Sequence, residues 1–190
     1  MNMKEMTAGI LAGGLSRRMG TDKSFLEHGD MTMLTHLITE CSAFKEIILS
    51  TAKIEPYKAL GCKIALDELE QFGPMEGIYQ ILRHSTTDVV FIMATDMPEI
   101  TASFMEEMIQ AYQGESCMVV RAGGRIHPLC GIYHRSLLPE LKRLRKEGLG
   151  KMQLFVKSIP ATYYDLSDDD VVTNVNTPQE YQTWKKEHKK

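Results

Sequence analysis

The stretch "AGILAGGLSRRMGTDKSFL", Ala8 to Leu26, decides how the rest of the chain is read. It opens as a short apolar run, breaks at Gly13 and Gly14, and then sets Arg17, Arg18, Gly20 and Lys23 within nine residues. A plain turn needs one or two glycines and no such cations. Backbone can close on a ligand only where side chains are absent, and successive N–H groups in such a loop form a concavity for anions. Open α/β sheets bind ligands at the carboxyl ends of their strands. A strand that runs into two glycines and three cations therefore predicts an anion-binding loop on a parallel sheet. Two common phosphate loops do not fit. Walker A needs Gly-Lys-Ser/Thr, but Thr21 and Asp22 separate Gly20 from Lys23; G-x-G-x-x-G fails because five residues part Gly14 from Gly20.

The alternation that follows agrees with a parallel sheet. Thr7–Gly13, Lys45–Thr51, Cys62–Asp67 and Thr86–Asp96 read as strands, the last so continuously apolar that it suits a fully buried position. Met33, Leu34, Leu37, Ile38 and Cys41 recur at helical spacing within Met31–Phe44. Pro74 suits the first turn of a helix over Met75–His84, and Thr101 suits the N-cap of one ending at Gly114. "CMVV" and "IHPLCGIYH" flank "RAGGR", a hairpin signal, so one strand is expected to run antiparallel. Helices over Ser136–Glu147 and Gly150–Lys157, a strand over Ala161–Leu166 and a final helix with Pro178 in its first turn complete the pattern. The expectation is one three-layer α/β domain over residues 1–190, with helices on both faces.

Composition narrows the function. Net charge is −3 with 43% hydrophobic and 25% charged residues, so no global basic field serves nucleic acid or an anionic membrane. The cations of the opening stretch are then a local feature for a small anionic ligand. The longest clean apolar run, Val89–Ala94, is far too short to span a bilayer. The N-terminal apolar run is also too short for a signal peptide, so a cytoplasmic location is expected. Cys41, Cys62, Cys117 and Cys130 form no C-x-x-C pair and are expected to be reduced thiols.

Asp67 and Asp96 end strands, so a parallel sheet would bring both to the edge that carries Gly13 and Gly14. A carboxylate beside phosphate-binding groups suits Mg²⁺, which takes one or two carboxylates with phosphates and water. Asp96 also suits a turn before Pro98, and Asp67 lies in an acidic loop with Glu68 and Glu70. Gly73, Pro74 and Gly77 suit either close backbone approach to a ligand or simple helix punctuation. His127 receives no catalytic role. "LKRLRKEG" reads as a solvated helix face and "SDDD" as an exposed turn, and the 13 methionines sit mostly at core spacing.

"LAGGLSRRMGTDK" resembles the signature L-A-G-G-x-S-x-R-M-G-x-D-K of nucleotidyltransferases, in the form carried by molybdenum cofactor guanylyltransferases. "LDELEQFGPMEGI", "ATDMP", "HPLCGIYHRSLLPEL" and "NVNTPQEY" match the same family in order, so the resemblance spans Thr7 to Tyr181. It implies a Rossmann-like nucleotidyltransferase fold, mostly parallel with one antiparallel strand, that joins GMP from GTP to molybdopterin, usually carrying molybdenum, and releases pyrophosphate. It implies catalytic roles for Arg17, Arg18, Lys23 and Asp96, with Asp96 as the Mg²⁺ ligand. The implied binding residues are Leu11, Ala12, Gly13, Gly14 and Lys23, then Asp67 and Asp96, and finally Asn174 and Asn176 toward the pterin or its phosphate; Asn176 also suits capping of the last helix. Molybdoenzymes or other cofactor-biosynthesis proteins are possible further partners. One departure stands out. The family commonly has a nucleotide-contacting asparagine after the second strand, where this chain has Ser50 and Thr51. Transfer from CTP, a sugar-phosphate acceptor, and non-catalytic nucleotide binding are the alternatives.

Overall fold

The computed structural model describes residues 1–12, 22–69 and 72–187. The expectations placed on Gly13, Gly14, Arg17, Arg18 and Gly20 lie outside the described residues, as does Glu70. In chain order the strands are β1 (Thr7–Leu11), β2 (Glu27–His28), β3 (Met31–Thr32), β4 (Glu46–Thr51), β5 (Lys63–Leu66), β6 (Val89–Ala94), β7 (Cys117–Ala122), β8 (Arg125–His134) and β9 (Ala161–Asp165). The α-helices are α1 (Met33–Glu40), α2 (Pro74–His84), α3 (Ala102–Ala111), α4 (Leu138–Glu147), α5 (Met152–Ser158) and α6 (Pro178–Glu187).

A seven-stranded sheet runs in the order β5-β4-β1-β6-β8-β7-β9, and β2 and β3 form a separate hairpin. β8 is antiparallel to both β6 and β7, while the other sheet pairings are parallel, as the hairpin signal implies. Gly123 and Gly124, both at positive φ, make the β7–β8 turn.

Strand alternation divides the core into two faces. Ile10, Phe91 and Met93 pack with Leu34 and Leu37 of α1 and Phe104, Met105 and Met108 of α3. On the other face Ile48, Val90 and Ile92 pack with α2, α4 and α5 through Ile78, Ile81, Leu141 and Phe155. A third cluster of Met33, Val175 and Tyr181, joined by Leu26 and Trp184, seats α6 against α1 and the β2–β3 segment.

Most boundaries fall within a few residues of the expected ones. Thr101 caps α3 by accepting from Phe104 N, but the helix ends at Ala111, before Gly114. Thr32, read as helical, instead caps α1 from an extended position by accepting from Thr35 N. All four cysteines are free, with Cys41, Cys117 and Cys130 buried. No helix among the described residues is long and apolar enough to cross a membrane.

Candidate active site

Parallel pairing fixes where the strand ends meet. Leu11 stands opposite both Ser50 and Ala94, and Thr51 opposite Leu66. The next residues continue the pairing: Ala12 N donates to Ser50 O at 2.9 Å, Asp67 N to Thr51 O at 2.9 Å and Thr95 N to Leu11 O at 3.2 Å. Leu11, Ala12, Asp67 and Asp96 therefore share one sheet edge.

Lys23 reaches this edge from a single 3₁₀ turn, Lys23–Phe25, which Asp22 caps by accepting from Ser24 N. Tyr57 O–H donates to the other Asp22 oxygen. Burial, with that bond to Asp22, pushes the Tyr57 hydroxyl up to about 12, so it remains a donor at neutral pH. Neither partner was singled out in the sequence. The Asp-Lys spacing gave the only signal, since an aspartate one residue before a turn is a cap candidate.

Lys23 Nζ lies 2.6 Å from Asn176 Oδ1 and 3.4 Å from Asp96 Oδ2. Both ends of the ion pair are largely buried, at 16% and 21% side-chain exposure, so solvent screens it less than a surface pair. Burial pushes the Asp96 carboxyl upward, and the Lys23 charge pulls it back. Asp96 Oδ1 is buried and finds no partner among the described residues. A mostly buried carboxylate with one oxygen on a lysine and the other unmatched among the described residues can accept a cation or a further donor.

Asn176 owes its freedom to its neighbours. Glu180 Oε2 accepts from Asn176 N at 2.6 Å and Thr177 N at 3.0 Å, while Thr177 Oγ1 accepts from Glu180 N at 3.2 Å. That is a capping box. It assigns the cap of α6 to Thr177 and leaves the Asn176 side chain to Lys23. Val175 N donates to Asp96 O at 2.9 Å and binds this segment to the strand-end loop. Asn174 Oδ1, also buried, finds no partner among the described residues.

Asp67 directly follows β5, farther along the same sheet edge. Its Oδ1 accepts from Ser50 Oγ at 2.6 Å. Burial raises its carboxyl, the Ser50 hydroxyl lowers it, and the charge of Glu76 raises it again. Ser50 and Thr51 are each 2% exposed, so both hydroxyls are turned inward. Ser50 acts on Asp67 rather than offering itself to a ligand. Gly77 explains the close fit around it. A Cβ there would stand 2.6 Å from Leu11 Cδ2 and 2.7 Å from Ser50 Oγ, so glycine lets α2 cross the ends of β1 and β4 without displacing either side chain. The close approach at Gly77 is to the sheet's own side chains, which neither sequence reading of this glycine anticipates. Gly73, at φ +88°, precedes α2, with Pro74 as its first residue.

Glu76 and Arg145 went unrecognised. Arg145 lies in "LKRLRKEG", read as solvated, yet its side chain is only 11% exposed and pairs with Glu76 at 2.6 Å. The available signal was Glu76 itself, a charge beside Met75, Ile78 and Tyr79 on the apolar side of α2.

Residues 8–161 match the family of the MobA-like NTP transferase domain. The molybdenum cofactor guanylyltransferase of Syntrophotalea carbinolica is 31% identical, covering 97% of this chain and 93% of its own length. That of Vibrio parahaemolyticus is 33% identical over 90% of each chain. Among solved structures, molybdopterin-guanine dinucleotide biosynthesis protein A from Archaeoglobus fulgidus superposes with a TM-score of 0.79 at 21% identity, over 94% of this chain and 95% of that one. A family model that matches most of the chain, with relatives above 30% identity over nearly all of its length, makes this chain a member of the MobA-like NTP transferase family.

Proposed function

We propose that this nucleotidyltransferase moves GMP from GTP to molybdopterin, forming the guanine dinucleotide cofactor and pyrophosphate. The observation that carries the reading is the meeting of Lys23, Asp96 and Asn176 from three distant parts of the chain at one sheet edge. Full-length likeness to guanylyltransferases supplies the choice of base and acceptor.

In this reading the acceptor's terminal phosphate oxygen attacks the α-phosphorus of GTP. A new P–O–P linkage forms, the bond from the α-phosphorus to its bridging oxygen breaks, and pyrophosphate leaves with the electron pair. The attacking group is already anionic, so no side-chain nucleophile is required. Positioning and charge stabilisation are the protein's contribution. Lys23, held by Asn176, turns its remaining N–H donors to the β- and γ-phosphates, where negative charge grows. Arg17 and Arg18, with the loop N–H groups around Gly13 and Gly14, add cationic and backbone donors by sequence. Leu11 and Ala12 bring the chain to that loop, and Asp67 holds the nucleoside. Asn174, with a buried amide oxygen unmatched among the described residues, faces the acceptor with Asn176.

The buried Oδ1 of Asp96, unmatched among the described residues, fits a divalent cation. Asp96 is the residue that would hold Mg²⁺, which when bound neutralises charge on the phosphate oxygens.

The test is pyrophosphate release from GTP on addition of molybdopterin and Mg²⁺, paired with calorimetric titration of GTP, CTP, ATP and UTP. Release with a clear preference for GTP is expected. Preference for CTP would move the reading to cytidylyl transfer, and binding without release would leave a nucleotide-binding protein.

A further inference from the structure

A buried ion pair stands behind the site without entering the proposed chemistry. The Glu76 side chain is 1% exposed and that of Arg145 11%. Arg145 Nε and Nη2 donate to Glu76 Oε2 and Oε1 at 2.6 and 2.9 Å, in a bidentate fork. The guanidinium also lies 4.0 Å from the centre of the Tyr79 ring, and Gln80 Nε2 donates to Glu76 Oε1 at 2.8 Å. Taking two charges out of water costs about as much as their attraction returns, so such a pair is a poor source of net stability. Its value lies in what it holds.

What it holds is the loop leaving β5. Glu76 Oε1 accepts the backbone N–H of Glu68, the residue next to Asp67, at 3.0 Å. Arg145 Nη2 donates to Glu68 Oε2 at 3.2 Å, and Arg83 Nη1 to Glu68 Oε1 at 2.5 Å. At the far end of the same loop the Phe72 carbonyl packs under Gly150, where a Cβ would stand only 2.5 Å away. The described ends of the loop are thus fastened, Glu68 to α2 and α4 and Phe72 to the α4–α5 connection.

We infer that Glu76 and Arg145 are positioning residues that fix the loop after β5 and thereby present the Asp67 carboxylate to the nucleotide. The inference rests on the proposed role of Asp67 as a nucleotide-binding residue. Disturbing the pair changes nucleotide binding through Asp67 and leaves Lys23 and Asp96 where they are. KM for the nucleotide rises and kcat holds.

The test uses the full chain with Glu76→Leu and Arg145→Met combined, since apolar residues of similar volume commonly replace a buried pair without loss of stability. Calorimetry with GTP and Mg²⁺ reads Kd, pyrophosphate release reads KM and kcat, and urea unfolding checks the fold. Kd and KM are expected to rise about tenfold, the scale of one lost hydrogen bond to a charged group. In an Asp67→Ala background, itself weaker than wild type, the same pair of changes is expected to cost nothing further. Glu76→Gln, which keeps an acceptor for the Glu68 N–H, supplies the comparison if the double variant does not fold; a severalfold rise that vanishes without Asp67 is expected. An unchanged Kd in a folded variant, or an equal loss in the Asp67→Ala background, overturns the inference. Nucleotide binding by Asp67→Ala at wild-type strength overturns instead the reading of Asp67 on which it rests.

Discussion

Replacing Gly77 by alanine puts the packing of the site to a direct test. Alanine is the better helix former by about 1 kcal/mol, so on propensity alone the variant gains stability. The structure predicts the opposite. The added Cβ would sit 2.6 Å from Leu11 Cδ2, which is 0.8 Å short of the 3.4 Å at which ordinary contact begins. Forcing a methyl group into a packed core costs about 1–3 kcal/mol. The same Cβ meets Ser50 Oγ at 2.7 Å, the hydroxyl that donates to Asp67. Turning it aside loses a hydrogen bond to a charged group, worth roughly 1.5–3 kcal/mol. The net expectation is a loss of about 1.5–5 kcal/mol after the propensity gain, read by urea unfolding, together with weaker GTP binding by calorimetry. Ser50→Ala removes the polar half of the clash, so the two substitutions together should cost less than their separate losses combined. A Gly77→Ala protein as stable as wild type would refute the reasoning, because α2 would then not be pressed on the ends of β1 and β4.

Lys23→Ala and Asp96→Ala are each expected to lower the rate of pyrophosphate release by about 10²–10³, the scale of one lost electrostatic stabiliser; near-normal turnover in the folded variants would remove them from the mechanism. Asn176→Ala takes away the acceptor at 2.6 Å that orients Lys23, and a fall of about tenfold in kcat is expected. Its unfolding midpoint should not move, since Thr177 and Glu180 keep the α6 cap; a lower midpoint would mean that Asn176 is structural. His36 stacks on His28 at 3.9 Å between ring centres. Burial, with the charge of His28, holds His36 below its ordinary 6.5 against the opposing pull of Glu40, Glu99 and the Pro98 carbonyl. Just below that pH the unfolded chain binds a proton that the folded chain does not. The stability due to neutral His36 is therefore full above 6.5 and drains as pH falls toward the lowered value. His36→Gln should flatten the loss of thermal midpoint between about pH 7 and 5, and parallel curves for the two proteins would sink the assignment.

What the sequence disclosed about this site follows from the geometry of parallel sheets. Every parallel strand ends at the same edge, so Asp67 and Asp96 can be placed together from strand ends alone. The hairpin around Gly123 and Gly124 likewise fixes one antiparallel strand through the positive φ that its turn requires. Side-chain partnership obeys no such period. Asn176 and Thr177 are both suitable caps for α6, and only the bond from Glu180 N to Thr177 Oγ1 decides that Thr177 caps and leaves the Asn176 side chain to Lys23. Arg145 occupies a helix position that polarity assigns to solvent, yet a long stem carries its guanidinium to a buried partner on another helix. The two cases have one cause. A position along a helix or strand gives the direction of the Cα–Cβ bond, while Lys, Arg and Asn choose among partners several ångströms farther out. The Ser50 departure belongs with them. The family resemblance implies an amide at this position, and packing under Gly77 turns the Ser50 hydroxyl to Asp67. If base selection survives that exchange, it runs through Asp67 and the loop that holds it. Ser50→Asn, which gives the family's amide to a cavity already filled by α2, should then weaken GTP binding rather than strengthen it.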